Sequence, residues 1–233
     1  MERIDKIIAS QGTYSRSEVK KLIQQKKIKV NGETITSPNI KIDVGTAEIT
    51  LNNEPIKIKE HIYLMLNKPE GYVSATKDNK DKTVLDLVPE EYKNREIFPA
   101  GRLDKNTTGL MILTDDGQMA HNILAPKKHI SKKYEVTVDI PVTEEMRKGF
   151  KEGIELIDGK CKTSEMTITG EHTAEVILTE GRYHQIKRMF GCYGAKVTKL
   201  HRTKMGKLEL PKDLAPGETR ELTTEELEKL CQK

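Results

Sequence analysis

The 233-residue chain has no tryptophan, only three phenylalanines and three cysteines, and no long apolar run. Hydrophobic residues make up 35% of the sequence, and no segment approaches the roughly 20 apolar residues of a membrane-spanning helix. The cysteines are widely spaced without a Cys-x-x-Cys pair, and the histidines lack metal-ligand spacing, which argues against a disulfide framework and a zinc site. We expect no metal, no other cofactor and no membrane partner.

The beginning of the chain and its charge bear on where the protein works. The first residues, MERIDKIIASQG, are acidic where a secretory signal has a basic start and an apolar block, which predicts a cytoplasmic protein. The net charge of +4 is modest, but positive residues cluster between Arg16 and Lys29, where Glu18 is the only acid. On charge alone, this run fits either a contact with nucleic-acid phosphates or a solvated helix face.

The N-terminal part of the chain predicts two short helices and a hairpin. Ile4, Ile7 and Ile8 recur at helical spacing, and the segment SRSE, residues 15–18, has the spacing of a capping box that opens a second helix. The Asn-Gly dipeptide at 31–32 then marks a tight hairpin turn. These elements form a unit of about 45 to 60 residues, near the lower limit for independent folding.

These residues, with the sequence RIDKIIASQGTYSRSEVKKLIQQKKIKVNGE, resemble an S4-type RNA-binding domain. The resemblance implies that the second helix and the turn before it lie against structured RNA, and it favours RNA contact over a solvated face for the basic run. We assign residues 1–55 to this S4-like domain and residues 56–61 to a linker. The implied RNA contacts are Arg3, Ser15, Arg16, Lys20, Lys21 and Lys27.

Beyond the linker, strand patterns are interrupted by single helices. Apolar runs and alternation predict strands at about 62–66, 110–113 and 134–138. Helices are predicted at about 118–124, 144–151 and 184–191. The arrangement favours an α+β domain over residues 62–233, with a mainly antiparallel sheet flanked by helices.

Asp104 lies in the segment PAGRLDKNTTGLMILTDDG, residues 99–117, which predicts a strand, a tight loop and a second strand. Because aspartate is common in turns, the segment alone leaves two roles open. Asp104 either caps the turn through the amides of Asn106 or Thr107, or it serves chemistry.

Three segments favour chemistry because they occur together and in order. AGRLDKNTTGLMILTDDG resembles the catalytic loop of pseudouridine synthases, SKKYEV resembles their second motif and EGRYHQIKRMF their third. The resemblance covers almost the whole chain and extends to the ribosomal small subunit pseudouridine synthase A group. It implies an isomerase that converts a specific uridine of ribosomal RNA, in the small subunit (16S), to pseudouridine during ribosome biogenesis.

The resemblance also implies roles at the reaction centre. Asp104 would act either as a nucleophile at ribose C1′ or as a base at the sugar, and both are within the range of a carboxylate. A nearby cation must keep that carboxylate ionised in a site that excludes water. The family's basic residue after His-Gln-aliphatic is here Lys187, which we favour over Arg188 because helical neighbours point about 100° apart. Lysine in place of arginine puts a bidentate clamp in doubt.

The remaining implied residues handle the RNA. Arg102 resembles the family's intercalating arginine, which occupies the place of the flipped base, and Tyr134 supplies an aromatic face for the uracil. Arg182 is assigned to phosphate, and Lys68 fits either phosphate binding or simple exposure. His184 fits either a general acid or a structural hydrogen-bonding group. Gln185 and Arg188 complete the predicted RNA-binding set.

A non-catalytic, RNA-binding ribosome-assembly factor on the same fold is the alternative function. Intact Asp104, Tyr134 and Lys187 favour the enzyme. A zinc nucleobase deaminase would need His-x-Glu and Pro-Cys-x-x-Cys segments, which the sequence lacks. We expect the partner of a monomeric protein to be ribosomal RNA within a partly assembled small subunit.

Overall fold

The computed structural model of the protein describes residues 1–125 and 130–232. The chain folds as two compact units, one made of Met1–Ile62 and Val88–Ile97 and the other of Tyr63–Leu87 and Phe98–Lys233. Within the described residues, no helix is long and apolar enough to cross a membrane.

The first unit combines two α-helices with two small sheets. Strand β1 pairs with β4, and the second sheet has the order β3-β2-β5-β6. A short 3-10 helix, Glu90–Tyr92, also belongs to this unit. The remaining elements are β1 (Glu2–Arg3), α1 (Ile4–Ala9), α2 (Arg16–Gln24), β2 (Ile28–Val30), β3 (Glu33–Thr34), β4 (Lys41–Ile42), β5 (Ile49–Leu51) and β6 (Glu54–Pro55).

Local sequence signals form the first unit as predicted. Ser15 Oγ accepts a hydrogen bond from Glu18 N at 3.3 Å, and Glu18 Oε2 accepts one from Ser15 N at 2.7 Å, which confirms the capping box. Asn31 and Gly32 join β2 to β3 with φ of +49° and +82°. Both values lie in the left-handed region that the hairpin turn requires and that these residue types tolerate. The apolar faces of the two helices supply much of the buried core: Ile4, Ile7, Ile8, Val19 and Ile23.

Two segments lie in a different unit from the one the sequence indicated. Residues 56–61, predicted as a linker, belong to the first unit, where Ile56 and Ile58 pack against the core. Val88–Ile97, predicted within the larger domain, also belongs there, and Asn94 Nδ2 donates to Gly12 O at 3.0 Å. The Asn94–Gly12 contact joins residues 82 positions apart in sequence and leaves no periodic signal.

The second unit is built on one large sheet with the strand order β13-β14-β10-β15-β9-β7-β17, to which β16 adds beside β15 and β8 beside β9. A separate hairpin pairs β11 with β12. The elements are β7 (Tyr63–Lys68), a 3-10 helix (Val84–Leu87), β8 (Phe98–Pro99), β9 (Thr108–Thr114), α3 (Gly117–Leu124), β10 (Lys132–Val138), α4 (Glu144–Glu152), β11 (Glu155–Leu156), β12 (Gly159–Lys160), β13 (Glu165–Gly170), β14 (Thr173–Leu178), α5 (Gln185–Gly191), β15 (Val197–Met205), β16 (Leu208–Glu209), β17 (Thr219–Glu221) and α6 (Thr224–Cys231).

The predicted α+β architecture is confirmed in this unit. Among the strand pairs that the structure describes, only β15 with β9 is parallel. The three predicted helices form as α3, α4 and α5, and Thr143 caps α4 by accepting from Met146 N at 3.3 Å. Phe150 of α4 contacts Phe190 of α5, with ring centroids 4.9 Å apart, in the core against the sheet.

One glycine fixes how closely β9 approaches β15. Gly109 has φ of +102°, and a Cβ added to it would lie 2.2 Å from the main-chain oxygen of Arg202. A side chain at this position is therefore excluded by both conformation and contact. The close approach brings the loop before β9 next to the side chains of β15.

Candidate active site

A cavity of about 650 Å³ in the second unit collects most of the predicted reaction-centre and base-flipping residues. Its walls come from the loop between β8 and β9, from β10 and β15 of the sheet, and from α5 with the segment before it. Seven residues that the sequence analysis singled out line the cavity: Arg102, Asp104, Tyr134, Arg182, His184, Gln185 and Lys187.

Asp104 and Lys187 form the central contact of the cavity. Lys187 Nζ lies 2.8 Å from Asp104 Oδ2 and donates a second hydrogen bond to Asn106 Oδ1 at 2.6 Å. Arg188 points elsewhere, and its guanidinium binds Asp158 through two hydrogen bonds of 2.8 and 3.1 Å. The helical geometry of α5 thus turns Lys187 to Asp104, and the lysine makes one contact with the carboxylate, not a bidentate clamp.

The carboxylate of Asp104 is not used to close its own turn. Thr107 N donates to the main-chain oxygen of Asp104 at 3.0 Å, so a main-chain hydrogen bond closes the turn in place of a side-chain cap. The second carboxylate oxygen, Oδ1, lies 3.4 Å from His184 Nε2. His184 precedes α5 with φ of +48°, and its ring stacks on Tyr183 with centroids 3.8 Å apart. The side chain of Asp104 keeps 28% of its surface exposed, which leaves it accessible to a substrate.

Lys68 lies beneath the Asp104 loop instead of at an RNA surface. It is 0% exposed, and its Nζ lies within hydrogen-bond distance of the main-chain oxygens of Pro69, Asp104, Lys105 and Thr107, at 3.1, 3.1, 3.3 and 2.8 Å. Burial lowers the pKa of Lys68 to about 8, and the nearby charge of Asp104 partly opposes that effect. A side chain buried in this way is not available to a phosphate, and its hydrogen bonds fasten the loop from below.

The lowered pKa of Lys68 predicts a stability that depends on pH. Between pH 8 and 10.5 the unfolded chain binds more protons at this residue than the native protein does, so native stability rises with pH. In that window, we expect the unfolding free energy of the wild type to rise relative to that of Lys68→Met by up to about 1.4 kcal/mol per pH unit.

Urea unfolding of both proteins from pH 6.5 to 10.5 measures this difference, because groups common to both cancel. Below pH 8 the difference should be flat, since Lys68 is protonated in both states. Parallel curves for the two proteins across the whole range would contradict the prediction.

Arg182 and Gln185 are bound to the protein itself. Arg182 Nη1 donates to Gly159 O at 2.7 Å and Nη2 donates to Lys160 O at 2.6 Å, which ties the β11–β12 hairpin to the segment before α5. Gln185 Oε1 accepts from Arg182 N at 3.0 Å, and Gln185 Nε2 donates to Glu180 Oε1 at 2.6 Å. Arg182, Gln185 and Arg188 were assigned to RNA binding from the sequence. In the structure, these contacts and the Arg188–Asp158 pair bind all three side chains to other groups of the protein. Arg102, by contrast, is exposed at the cavity wall.

The predicted RNA contacts of the first unit separate into two groups. Arg3 Nη2 and Arg16 Nη2 lie 2.8 and 3.4 Å from Oδ2 of the buried Asp5, and Ser15 caps α2. These three residues have structural partners. Lys20, Lys21 and Lys27 are exposed on or just after α2 and form a basic surface.

Three cationic residues of the cavity wall, Lys105, Lys132 and Arg202, were not predicted as site residues. Lys132 lies on β10 and Arg202 on β15, and Arg202 is only 2% exposed. Period-two alternation in LHRTKM puts Arg202 on the same strand face as Leu200, so the pattern held a signal for a buried arginine. Nothing in that alternation indicates which groups surround it.

Comparison with known proteins identifies the fold that carries this cavity. The model of the RNA pseudouridylate synthase family matches residues 62–191, and the S4 domain model matches residues 2–47. The chain belongs to the RNA pseudouridylate synthase family. As a pseudouridine synthase it is an isomerase of RNA uridine, so the predicted enzyme class and the N-terminal S4 domain are confirmed.

Individual relatives of this pseudouridine synthase span nearly its full length. An uncharacterized RNA pseudouridine synthase of Bacillus subtilis is 42% identical, over 97% of this chain and 96% of its own. The ribosomal small subunit pseudouridine synthase A of Haemophilus influenzae is 41% identical, over 98% of this chain and 99% of its own. A crystal structure of a pseudouridylate synthase, 39% identical, matches with a TM-score of 0.70 over 99% of this chain and 100% of that one.

Proposed function

We propose that this pseudouridine synthase converts one uridine of small-subunit (16S) ribosomal RNA to pseudouridine, with Asp104 as the catalytic carboxylate. The observation that carries the proposal is the 2.8 Å contact between Lys187 Nζ and Asp104 Oδ2 inside a cavity that Tyr134 also lines. Relatives named ribosomal small subunit pseudouridine synthase A support the choice of RNA.

The reaction needs one well-placed carboxylate. The bond between uracil N1 and ribose C1′ breaks, the uracil turns within the cavity, and C5 joins C1′. Asp104 either attacks C1′ or removes a proton from the sugar, and both routes begin from the same ionised side chain. Lys187 holds one carboxylate oxygen of Asp104 through a hydrogen bond, and Lys68 fastens the loop from below, so that the carboxylate stays directed into the cavity.

The target base must leave its helix to reach Asp104. Extruding a base costs a few kcal/mol of stacking and pairing energy, which contacts in the cavity must offset. Tyr134 offers an aromatic face for the uracil, and the exposed Arg102 is free to enter the vacated place in the RNA. Arg182, Gln185 and Arg188 act in this proposal by holding the cavity wall in shape.

The N-terminal unit docks the RNA through its basic surface. Lys20, Lys21 and Lys27 are the exposed contacts, and Arg3, Ser15 and Arg16 shape α2 behind them. The enzyme acts as a monomer on a partly assembled small subunit, in which the RNA is folded but still accessible.

Salt dependence tests the basic surface directly. Lys20→Ala with Lys21→Ala should flatten the slope of log affinity against log salt by about 0.7 to 0.9 for each phosphate that the variant no longer neutralises. Filter binding to a small-subunit RNA transcript at several salt concentrations measures the slope.

The matched control is Lys148→Ala with Lys151→Ala on α4, two exposed lysines outside the proposed surface, which should leave the slope unchanged. Equal slopes for the wild type and the Lys20, Lys21 variant would indicate that these lysines lie on a solvated helix face and do not contact RNA phosphates.

Release of tritium from uracil C5 tests the reaction, because C5 loses its hydrogen when it becomes the glycosidic carbon. The substrates are C5-labelled transcripts of small-subunit and large-subunit ribosomal RNA, each free and with early-binding ribosomal proteins. Release from a small-subunit sample supports the proposal, and release from large-subunit RNA alone would overturn the choice of substrate. Tight binding without release from any sample would indicate a non-catalytic assembly factor.

A further inference from the structure

Arg202 is a buried cation of the cavity wall with unused hydrogen-bonding capacity. Its residue surface is 2% exposed, and its Nε donates to Leu110 O at 2.8 Å. Its Nη2 has no hydrogen-bond partner within residues 1–125 and 130–232. A buried guanidinium without a counter-charge is costly, and the cost is recovered where a ligand supplies the missing acceptor.

In the part of the chain that the structure describes, the surroundings of Arg202 provide cations but no free carboxylate. Lys132 lies on the neighbouring strand, and burial, with a smaller contribution from Arg202, lowers the pKa of Lys132 to about 8. Two acids of the cavity wall are already engaged. Asp104 binds Lys187, and Glu180 accepts a hydrogen bond from Gln185 Nε2 at 2.6 Å. This side of the cavity therefore favours a ligand that carries or develops negative charge.

The strand register sets which part of the substrate meets Arg202. In the β10–β15 pair, Arg202 lies opposite Tyr134, and in the β9–β15 pair it lies opposite Gly109. With the ribose at Asp104 and the uracil on Tyr134, as in the proposed function on which this inference rests, an edge of the base faces Arg202. Phosphates stay with the RNA strand outside, whereas the base enters the cavity.

We propose that the Arg202 guanidinium donates a hydrogen bond to a carbonyl oxygen of the flipped uracil and stabilises its negative charge as the N1–C1′ bond breaks. The bonding electron pair leaves with N1 and is delocalised onto O2 and O4. After the ring turns, C5 bonds to C1′ and loses its proton, while N1 gains one, so the net change is an isomerisation. The role is the same whether Asp104 attacks C1′ or takes a sugar proton, because uracil departs as an anion in both routes.

A thio-substitution cycle tests the contact atom by atom. The RNAs carry uridine, 2-thiouridine or 4-thiouridine at the position that the wild type modifies, and single-turnover rates are read by nucleoside chromatography. Sulfur is the weaker acceptor, so one thio RNA should slow the wild type by about 10-fold through weakening of the charge-assisted bond. Arg202→Met should lower the rate on the uridine RNA by about 100-fold with little change in KM. In this variant, the same sulfur substitution should slow the reaction by less than about 2-fold.

Two further variants separate this contact from a structural role. Arg202→Lys keeps a cationic donor and should recover part of the rate together with a thio effect near that of the wild type. The uncharged Arg202→Gln carries the comparison if Arg202→Met fails to fold. Arg220→Met removes another arginine of the second unit, one that binds Glu226, and should lower stability without altering the thio effects.

A thio effect as large in the variant without the charge, Arg202→Met, as in the wild type would overturn the inference, and it is also the result expected if Arg202 binds a phosphate. Wild-type activity in the same assay keeps that outcome distinct from failure of the proposed function, in which the wild type itself modifies no uridine.

Discussion

Asp104→Asn is expected to lower tritium release from uracil C5 by at least about 1,000-fold, the largest effect of any single substitution in the cavity. Asparagine keeps the shape of the side chain but can neither attack C1′ nor accept a proton from the sugar. The fold should survive, because the turn is closed by the main-chain oxygen of Asp104 and fastened by Lys68. Single-turnover assays with enzyme in excess measure the rate without a contribution from product release.

Asp139→Asn is the matched control for this prediction. Its carboxylate accepts a hydrogen bond from Lys196 N at 2.7 Å and does not line the cavity, so the rate of that variant should equal the wild-type rate. Binding of RNA by Asp104→Asn should stay within about 3-fold, because the carboxylate contributes to the reaction more than to affinity. A rate of Asp104→Asn within 10-fold of the wild-type rate would show that Asp104 is not the catalytic carboxylate.

Lys187→Met is expected to lower the rate by about 100-fold, an effect as large as that of Arg202→Met. The variant removes the 2.8 Å contact that holds Asp104 Oδ2 and leaves the carboxylate without its cation. Asn106 Oδ1 also loses a donor, at 2.6 Å, so the loop would lose two attachments at once. The same single-turnover assay, run beside thermal unfolding, separates a loss of rate from a loss of folded protein.

Lys187→Arg supplies the comparison that isolates charge. Arginine keeps the cation and is the residue that the resemblance associates with this position, so Lys187→Arg should retain at least about a tenth of the wild-type rate. Arg188→Met, which breaks the pair with Asp158 but not the contact with Asp104, should cost less than Lys187→Met. Equal losses from Lys187→Met and Lys187→Arg would mean that the shape of the side chain matters more than its charge.

Much of the local structure follows from short stretches of sequence. The capping box at Ser15 and Glu18 and the Asn31-Gly32 turn form as predicted because their hydrogen bonds and backbone angles involve residues close together in the chain. The motif order also predicts that Asp104, Tyr134 and Lys187 share one cavity, and all three line it. Helical geometry lets only one of Lys187 and Arg188 face Asp104, and the resemblance to the third family motif implies that it is Lys187, as the structure has it.

The environment of the other cations could not be predicted from the sequence. Lys68 and Arg182 are polar residues in apparent turns, and pattern alone assigns them to solvent or RNA. Lys68 is instead bound to the Thr107 oxygen 39 positions away, and Arg182 to the Gly159 oxygen 23 positions away. Main-chain oxygens carry no residue-specific signal, so their use as partners for a cation is invisible until the fold is known.

Local spacing is therefore enough to predict the helices and the hairpin turn, and the resemblance of three ordered motifs to a known family implies the membership of the RNA pseudouridylate synthase family and the Asp104–Lys187 pair. The position of Lys68 beneath the loop and the burial of Arg202 in the cavity wall emerge only when the sheet has formed. The physical reason is that the energy of a buried charge is set by the groups around it, and long-range strand pairing brings those groups together.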